Sequence, residues 1–174
     1  MADPQERERF EALVLPHLDA AHNLARWLVR RDGEAEDLAQ EAMLRAYRFF
    51  PGFRGGDPRA WLLRIVRNVC YTWLGTTRER LTGEFDETLH GAADVTPESL
   101  AIAAADRERL TRALEELPAR FREVLVLREL EGCSYKEIAE ITGSPIGTVM
   151  SSLSRARRRL EQAVRTGAPR GEAS

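Results

Sequence analysis

Residues able to hold a metal or build a covalent framework are scarce here: two cysteines, Cys70 and Cys133, and three histidines, His17, His22 and His90, in a chain of 174. The cysteines stand far apart and in unlike contexts, Cys70 on the apolar stripe of a predicted helix and Cys133 beside a helix start. That pattern predicts two reduced thiols rather than a disulfide or redox pair. The histidines have no metal-like spacing with one another or with the cysteines, which argues against a metal centre. Long apolar runs are missing too: none approaches the roughly 20 residues that span a bilayer. The opening Met-Ala-Asp-Pro-Gln-Glu-Arg-Glu-Arg is too charged for a secretory signal, so a cytoplasmic protein is expected. No segment alternates apolar and polar residues as a strand does. No glycine-rich phosphate loop follows a strand, and no Ser/His/Asp or Cys/His grouping is evident. These absences count against an enzyme, a cofactor and a small-molecule substrate.

What is present is ordinary in amount and uneven in placement. Hydrophobic residues make up 43% and charged residues 31%, enough apolar content for packed cores. The net charge of −2 conceals a division. Between residues 84 and 108 seven acids face Arg107 alone, a local balance of −6, which leaves +4 for the rest. Local basic patches rather than the total make the footprint that nucleic acid feels. Lys136 is the lone lysine among 26 basic residues. Arginine suits phosphate and guanine, but a GC-rich genome explains the bias equally well, so it carries no functional weight.

Helical periodicity runs through most of the chain and predicts an all-α protein. A first helix is expected from about Pro4 to Leu15, with Phe10, Leu13 and Val14 apolar. Pro16 opens a second carrying Leu18, Ala21, Leu24, Ala25 and Leu28, and Asp32-Gly33 breaks it. Glu34 to about Phe49 is a third, acidic at its start and basic at Arg45 and Arg48, as the helix dipole favours. After the glycine-rich loop Pro51-Gly-Phe-Arg-Gly-Gly-Asp57, a fourth helix spans Arg59 to about Arg78. Trp61, Leu62, Ile65, Val66, Val69, Cys70, Trp73 and Leu74 form its broad apolar face, so the two tryptophans read as core. Arg64, Arg67, Asn68 and Thr72 lie on the other face.

Residues 81–95, with Gly83, Gly91 and little apolar periodicity, read as a linker. Thr96-Pro97-Glu98 opens a helix to Leu117, and Pro118 another with Phe121, Val124, Leu125, Leu127 and Leu130, ending at Gly132. The expected organisation is therefore two small helical domains, 1–80 and 96–165, joined by the acidic linker 81–95, with a disordered tail over 166–174.

The most informative segment is Ser134 to Leu160. Ser134 and Glu137 make a capping box that starts one short helix, Gly143 supplies a turn, and Ser144-Pro145 restarts the chain. In the second helix Ile146, Val149, Leu153, Ala156 and Leu160 fall on one stripe. Thr148, Ser151, Ser152, Arg155, Arg158 and Arg159 are left facing out. Small hydroxyls early and arginines later suit a recognition helix in a DNA major groove. A surface helix with a solvated basic face is the plainer alternative.

With both halves read, residues 8 to 165 resemble the extracytoplasmic-function sigma factors, the smallest class of the main bacterial sigma family. Three blocks in order carry the resemblance: Glu34-Ala-Glu-Asp-Leu-Ala-Gln-Glu-Ala-Met-Leu-Arg-Ala-Tyr-Arg48, Phe53-Arg-Gly-Gly-Asp-Pro-Arg-Ala-Trp-Leu-Leu-Arg-Ile-Val-Arg-Asn-Val69, and Leu114 to Gly132 with the helix pair that follows. The first resembles the family's core-polymerase-binding helix. It implies docking on core RNA polymerase, through the β′ coiled coil and with the β flap as a further contact, by Asp37, Leu38, Gln40, Glu41 and Arg45. Asp37, Gln40, Glu41 and Arg45 recur at three- and four-residue spacing and so share one face, though Glu41 and Arg45 could equally form a surface ion pair.

The second block resembles the loop and helix that open and read the −10 element, implying promoter contacts by Phe53, Arg54, Gly55, Arg64, Arg67, Asn68 and Thr72. Asparagine offers a base edge both a donor and an acceptor. Glycine permits close backbone approach, and the ring and guanidinium of Phe53-Arg54 can stack or pair. The third implies −35 readout by Arg128, Thr148, Ser151, Ser152, Ser154 and Arg155, with Arg158 and Arg159 on phosphate. Met150 and Ser152 stand where relatives often carry arginine, so a relative's promoter consensus should not be borrowed. The acidic linker either imitates RNA phosphate or is a solvated spacer. An anti-sigma factor is a further partner expected by resemblance. An autonomous helix-turn-helix regulator is the competing reading, but it would leave residues 34–74 unexplained.

Overall fold

The computed structural model describes residues 3–80 and 101–166, with side chains from 3 to 75 and from 105 to 166. Every regular element among them is helical. Helices α1 (Pro4–Leu13), α2 (Leu18–Val29), α3 (Asp32–Phe49) and α4 (Pro58–Arg80) form the N-terminal set. The C-terminal set comprises α5 (Ala101–Glu116), α6 (Ala119–Leu125), α7 (Tyr135–Thr142) and α8 (Ile146–Thr166). The expected linker and the expected helix start at Thr96 lie outside the described residues, as does the tail expected from Thr166 except for Thr166 itself, which is the last residue of α8.

Local chemistry explains most boundaries. Asp3 caps α1 by accepting from the Gln5 amide at 3.1 Å, and Asp57 caps α4 by accepting from the Arg59 amide at 2.9 Å. Ser134 caps α7 through the Glu137 amide at 3.1 Å, and Gly143, at φ 68°, ends that helix in the left-handed region glycine favours.

Several boundaries and faces differ from expectation. Pro16 lies inside a 3-10 turn, Leu15–His17, and α2 begins at Leu18, whose side chain is exposed rather than on the apolar stripe. The break after α2 falls at Arg30, in the left-handed conformation at φ 61°, and not at Asp32-Gly33, which instead open α3. After α6 the backbone widens into a π-helical turn, Val126–Leu130, with the Glu131 amide bonded to the Val126 carbonyl at 3.0 Å. The added residue shifts the side-chain register. Leu130, expected on the apolar stripe, is therefore exposed while Val126 and Leu127 are buried. Helix α8 starts at Ile146, one residue later than expected, and Ile146 itself is exposed.

Inside the N-terminal set, Ala35, Ala39, Ala42 and Ala46 line the buried face of α3. Such small residues let α2 and α4 approach closely. Phe10, Phe50, Phe53 and Trp61 form an edge-to-face and stacked cluster beneath the loop before α4, with centroid distances of 5.0–6.2 Å. Trp61 and Trp73 pack against the core, as expected. In the C-terminal set, Ile138, Ile141, Val149, Leu153 and Ala156 close the helix-turn-helix on α6.

The two sets are joined. Helix α4 packs on α7, and α2 packs on α6. Arg122 of α6 is 4% exposed and donates to the Trp27 and Leu28 carbonyls at the end of α2 and to the Glu115 and Leu117 carbonyls at the end of α5. Terminal carbonyls have no partner within their own helix, so one guanidinium completes two helix ends from different halves of the chain. Burial, with Arg30 nearby, pulls its pKa down to about 10, which still leaves it charged at neutral pH.

Candidate polymerase and nucleic-acid interface

The proposed polymerase face of α3 is open. Asp37, Gln40, Glu41 and Arg45 are exposed, and Leu38 is half-buried against the core. Glu41 and Arg45 do form the i,i+4 ion pair, at 3.0 Å, with both side chains about half exposed. Leu44 is 68% exposed on the same face, and Tyr47 and Phe49 are exposed farther along α3. Leu44 is the residue the sequence reasoning passed over. Its spacing from Gln40 and Glu41 was the available signal, but an apolar side chain on a helix is read as core by default.

Around the loop before α4 the structure separates residues that were grouped together. Phe53 is 7% exposed, stacked on Phe50 and tilted against Trp61. Its ring supports the loop from below. Arg54, Gly55 and Gly56 are exposed, and the two glycines sit at φ 93° and 96°, which a side chain would strain.

On α4, Arg64, Asn68 and Thr72 repeat every four residues and face outward in one stripe, with the Thr72 hydroxyl donating to the Asn68 carbonyl at 2.8 Å. Arg67 does not share their stripe. It turns to the C-terminal helices, where its guanidinium lies over the Tyr71 ring at 4.4 Å and its Nε donates to the Glu123 carboxylate. Tyr71 donates to the other oxygen of Glu123 at 2.8 Å. Burial raises the pKa of Glu123, opposed by Arg67 and Tyr71. Tyr71 is raised as well, by its own burial and by the facing carboxylate.

About two turns toward the start of α4, Arg59 donates to the Glu131 carbonyl at 2.8 Å and to the Glu137 carboxylate at 2.7 Å. The hydrogen bond to Glu137 raises the pKa of Arg59. The forward half of the capping box is therefore present at Ser134, while the carboxylate expected to close it is committed to Arg59. Asn23 of α2 also reaches across, donating to Glu131 at 2.6 Å.

Helix α8 presents Thr148, Ser151, Ser154, Arg155, Arg158 and Arg159 to solvent, with Ser152 half-buried. The Ser151 hydroxyl donates to the Thr148 carbonyl at 3.0 Å. Arg159 lies over the Phe121 ring at 4.8 Å. Arg128 is half-buried, donating to the Cys133 carbonyl at 2.9 Å and lying over Tyr135 at 4.7 Å. Both cysteines are buried free thiols, pushed by burial to about 12 at Cys70 and about 11 at Cys133. Among the described residues no group of three or more His, Cys, Asp or Glu could hold a metal, and no helix is long and apolar enough to cross a membrane.

Two family models match this arrangement, sigma-70 region 2 over residues 13–80 and sigma-70 region 4 over residues 107–160. The chain is similar to the RNA polymerase sigma-H factor of Pseudomonas aeruginosa and the ECF RNA polymerase sigma-E factor of Escherichia coli, each 32% identical over 91% of this chain and 88% of the relative. Its fold matches the sigma factor RpoE of Bartonella quintana, solved with the anti-sigma factor NepR, at TM-score 0.75 and 30% identity, covering 91% of this chain and 98% of that one. The chain belongs to the extracytoplasmic-function sigma factors. A sigma factor is a transcription initiation factor and not an enzyme: it binds core RNA polymerase and directs it to promoter DNA, leaving catalysis to the polymerase. That assignment prevails over an autonomous regulator, because the match includes the N-terminal region such a regulator would leave unexplained. In this sigma factor, region 2 and region 4 meet through Asn23, Arg59, Arg67 and Tyr71 on one side and Arg122, Glu123, Glu131 and Glu137 on the other; of these Arg67 and Glu137 were singled out from the sequence, and neither for this role. Contacts between distant helices leave no periodic signal within either one.

Proposed function

We propose that the division of labour follows the two matched regions, with residues 1–80 binding core polymerase and reading the −10 element and residues 96–165 reading the −35 element. The observation that carries this reading is the outward stripe of Arg64, Asn68 and Thr72 on α4, polar side chains held in solvent by a helix whose other faces are packed. Unpaired bases could meet its donors and acceptors there without disturbing the core. Arg54 and the two left-handed glycines would let the preceding loop approach the same strand. The exposed half-polar, half-apolar face around Asp37, Gln40, Glu41, Leu44 and Arg45 suits docking on the β′ coiled coil, a partner of mixed charge and hydrophobicity. A shallow apolar groove lined by Leu110, Leu125, Leu160 and Val164 is available to the β flap. On α8, Thr148, Ser151, Ser154 and Arg155 would meet base edges, with Arg158 and Arg159 on phosphate.

The protein would act in the cytoplasm, where polymerase works. An anti-sigma factor is a further proposed partner: the Bartonella sigma factor, 30% identical, was solved with one. Transcription by purified core polymerase on a genomic fragment library tests the proposal. With this protein added, transcripts should start at discrete sites sharing two motifs. A protein that binds core yet yields no discrete starts would contradict it.

A further inference from the structure

Arg67 and Tyr71 form a cradle with two donors, Arg67 Nε and Tyr71 Oη, each taking one oxygen of the same carboxylate, with the Arg67 guanidinium laid over the Tyr71 ring. The occupant, Glu123, is 2% exposed and comes from α6, more than fifty residues away in sequence. A phosphodiester presents two unesterified oxygens at a spacing similar to a carboxylate's, and guanidinium binds both anions through paired donors. The cradle adjoins the outward stripe: Arg67 precedes Asn68 and lies three residues after Arg64. A strand read by Asn68 would therefore run its backbone past this point.

We infer that Arg67 and Tyr71 form a binding site for a phosphate of the single-stranded −10 region, and that Glu123 fills it in the free protein. The inference rests on the proposed −10 role of α4. Three other contacts hold the occupant there: Arg59 to Glu137 and the Glu131 carbonyl, Asn23 to Glu131, and Arg122 to the end of α2. Region 4 thus covers one stripe of the −10 helix with its own acids, and separating the two regions exposes the cradle. Affinity for single strands is lowered in proportion to the fraction of molecules with the cradle empty.

The test is fluorescence anisotropy of the full-length protein, without polymerase, on a labelled short single-stranded DNA of random sequence. Glu123→Gln should bind it about tenfold more tightly than the wild type, because a neutral amide holds Arg67 more weakly than a carboxylate and leaves the cradle open in a larger fraction of molecules. Adding Arg67→Gln to Glu123→Gln should cancel that gain. Unchanged affinity in folded Glu123→Gln would overturn the inference, and so would a gain that survives Arg67→Gln, since the exposed surface would then lie elsewhere. Should Glu123→Gln fail to fold, Glu137→Gln decides the matter: it loosens the same closure at a half-exposed position outside the cradle. Its gain should be about threefold, again cancelled by Arg67→Gln; no gain would overturn the inference. Transcription with core polymerase, run beside these measurements, separates the two ideas. Wild type that starts transcripts normally while the variants bind no better defeats the cradle alone, whereas wild type that starts none defeats the −10 role beneath it.

Discussion

Helix α8 and helix α4 are both proposed to read DNA, yet the protein leaves one open and half-covers the other. On α8 only Val149, Leu153 and Ala156 are fully buried, and nearly every proposed DNA contact faces solvent. Helix α4 lies against α2, α3 and α7; Arg64, Asn68 and Thr72 face outward from it, while Arg59, Arg67 and Tyr71 are held by acids and a carbonyl of region 4. The difference matches the order in which promoter DNA offers its surfaces. Duplex is present from the start and needs a rigid, exposed helix; unpaired bases exist only after melting, when an occupied surface can be released.

Breaking the junction between regions should have the largest effect. Arg122→Ala leaves four helix-terminal carbonyls in low-dielectric surroundings without a donor. We expect a loss of about 3 kcal/mol in urea unfolding, and a loss below about 0.5 kcal/mol would mean that the regions are not joined here. A smaller effect separates two arginines on the same helix. Arg67→Ala leaves the Glu123 carboxylate with Tyr71 as its donor and should cost about 2 kcal/mol, whereas exposed Arg64→Ala should stay within about 0.5 kcal/mol; equal thermal shifts would erase the distinction between the stripes. On α8, Arg158→Gln should weaken every −35 sequence alike and flatten the salt dependence of duplex binding by about one unit of log–log slope. A change in sequence preference would instead move Arg158 to the base edges. The smallest stability effect is expected on α3, where losing the exposed Glu41–Arg45 pair in Glu41→Gln should cost about 0.5 kcal/mol or less. Pull-down of core polymerase by Asp37→Arg with Glu41→Arg should nonetheless be lost; binding retained by the folded double variant would remove this face from the interface.

Much of this was legible in the chain. The all-α class, the helix-turn-helix between Ser134 and Leu160 and the cap at Ser134 follow from periodicity and from a side chain acting on an amide three residues away. The outward stripe of Asn68 and Thr72 followed from the same periodicity. Failures came where a distant partner or an altered register intervened. The π-helical turn moved Leu130 out of the core. A left-handed Arg30 ended α2 where Asp32-Gly33 looked the better breaker. Nothing in the periodicity of α6 marks Glu123, and only tertiary contact with Arg67 and Tyr71 shows that it is buried and paired. Phe53 looked like a base-stacking ring because its neighbours are glycine and arginine; its place beneath the loop depends on Phe50 and Trp61.

The central claim is that two separate helices read two separate promoter elements for one polymerase. It is tested most directly by transcription with core polymerase on a promoter library randomised at both elements, comparing wild type with Asn68→Ala and Arg155→Ala. Asn68→Ala should change the preferred −10 sequence and leave the −35 preference intact, and Arg155→Ala should do the reverse, each shifting its own element by about 1–3 kcal/mol per lost base contact. If both substitutions lowered output uniformly without altering either preference, neither side chain would be reading bases, and the assignment of α4 and α8 to the two elements would be contradicted.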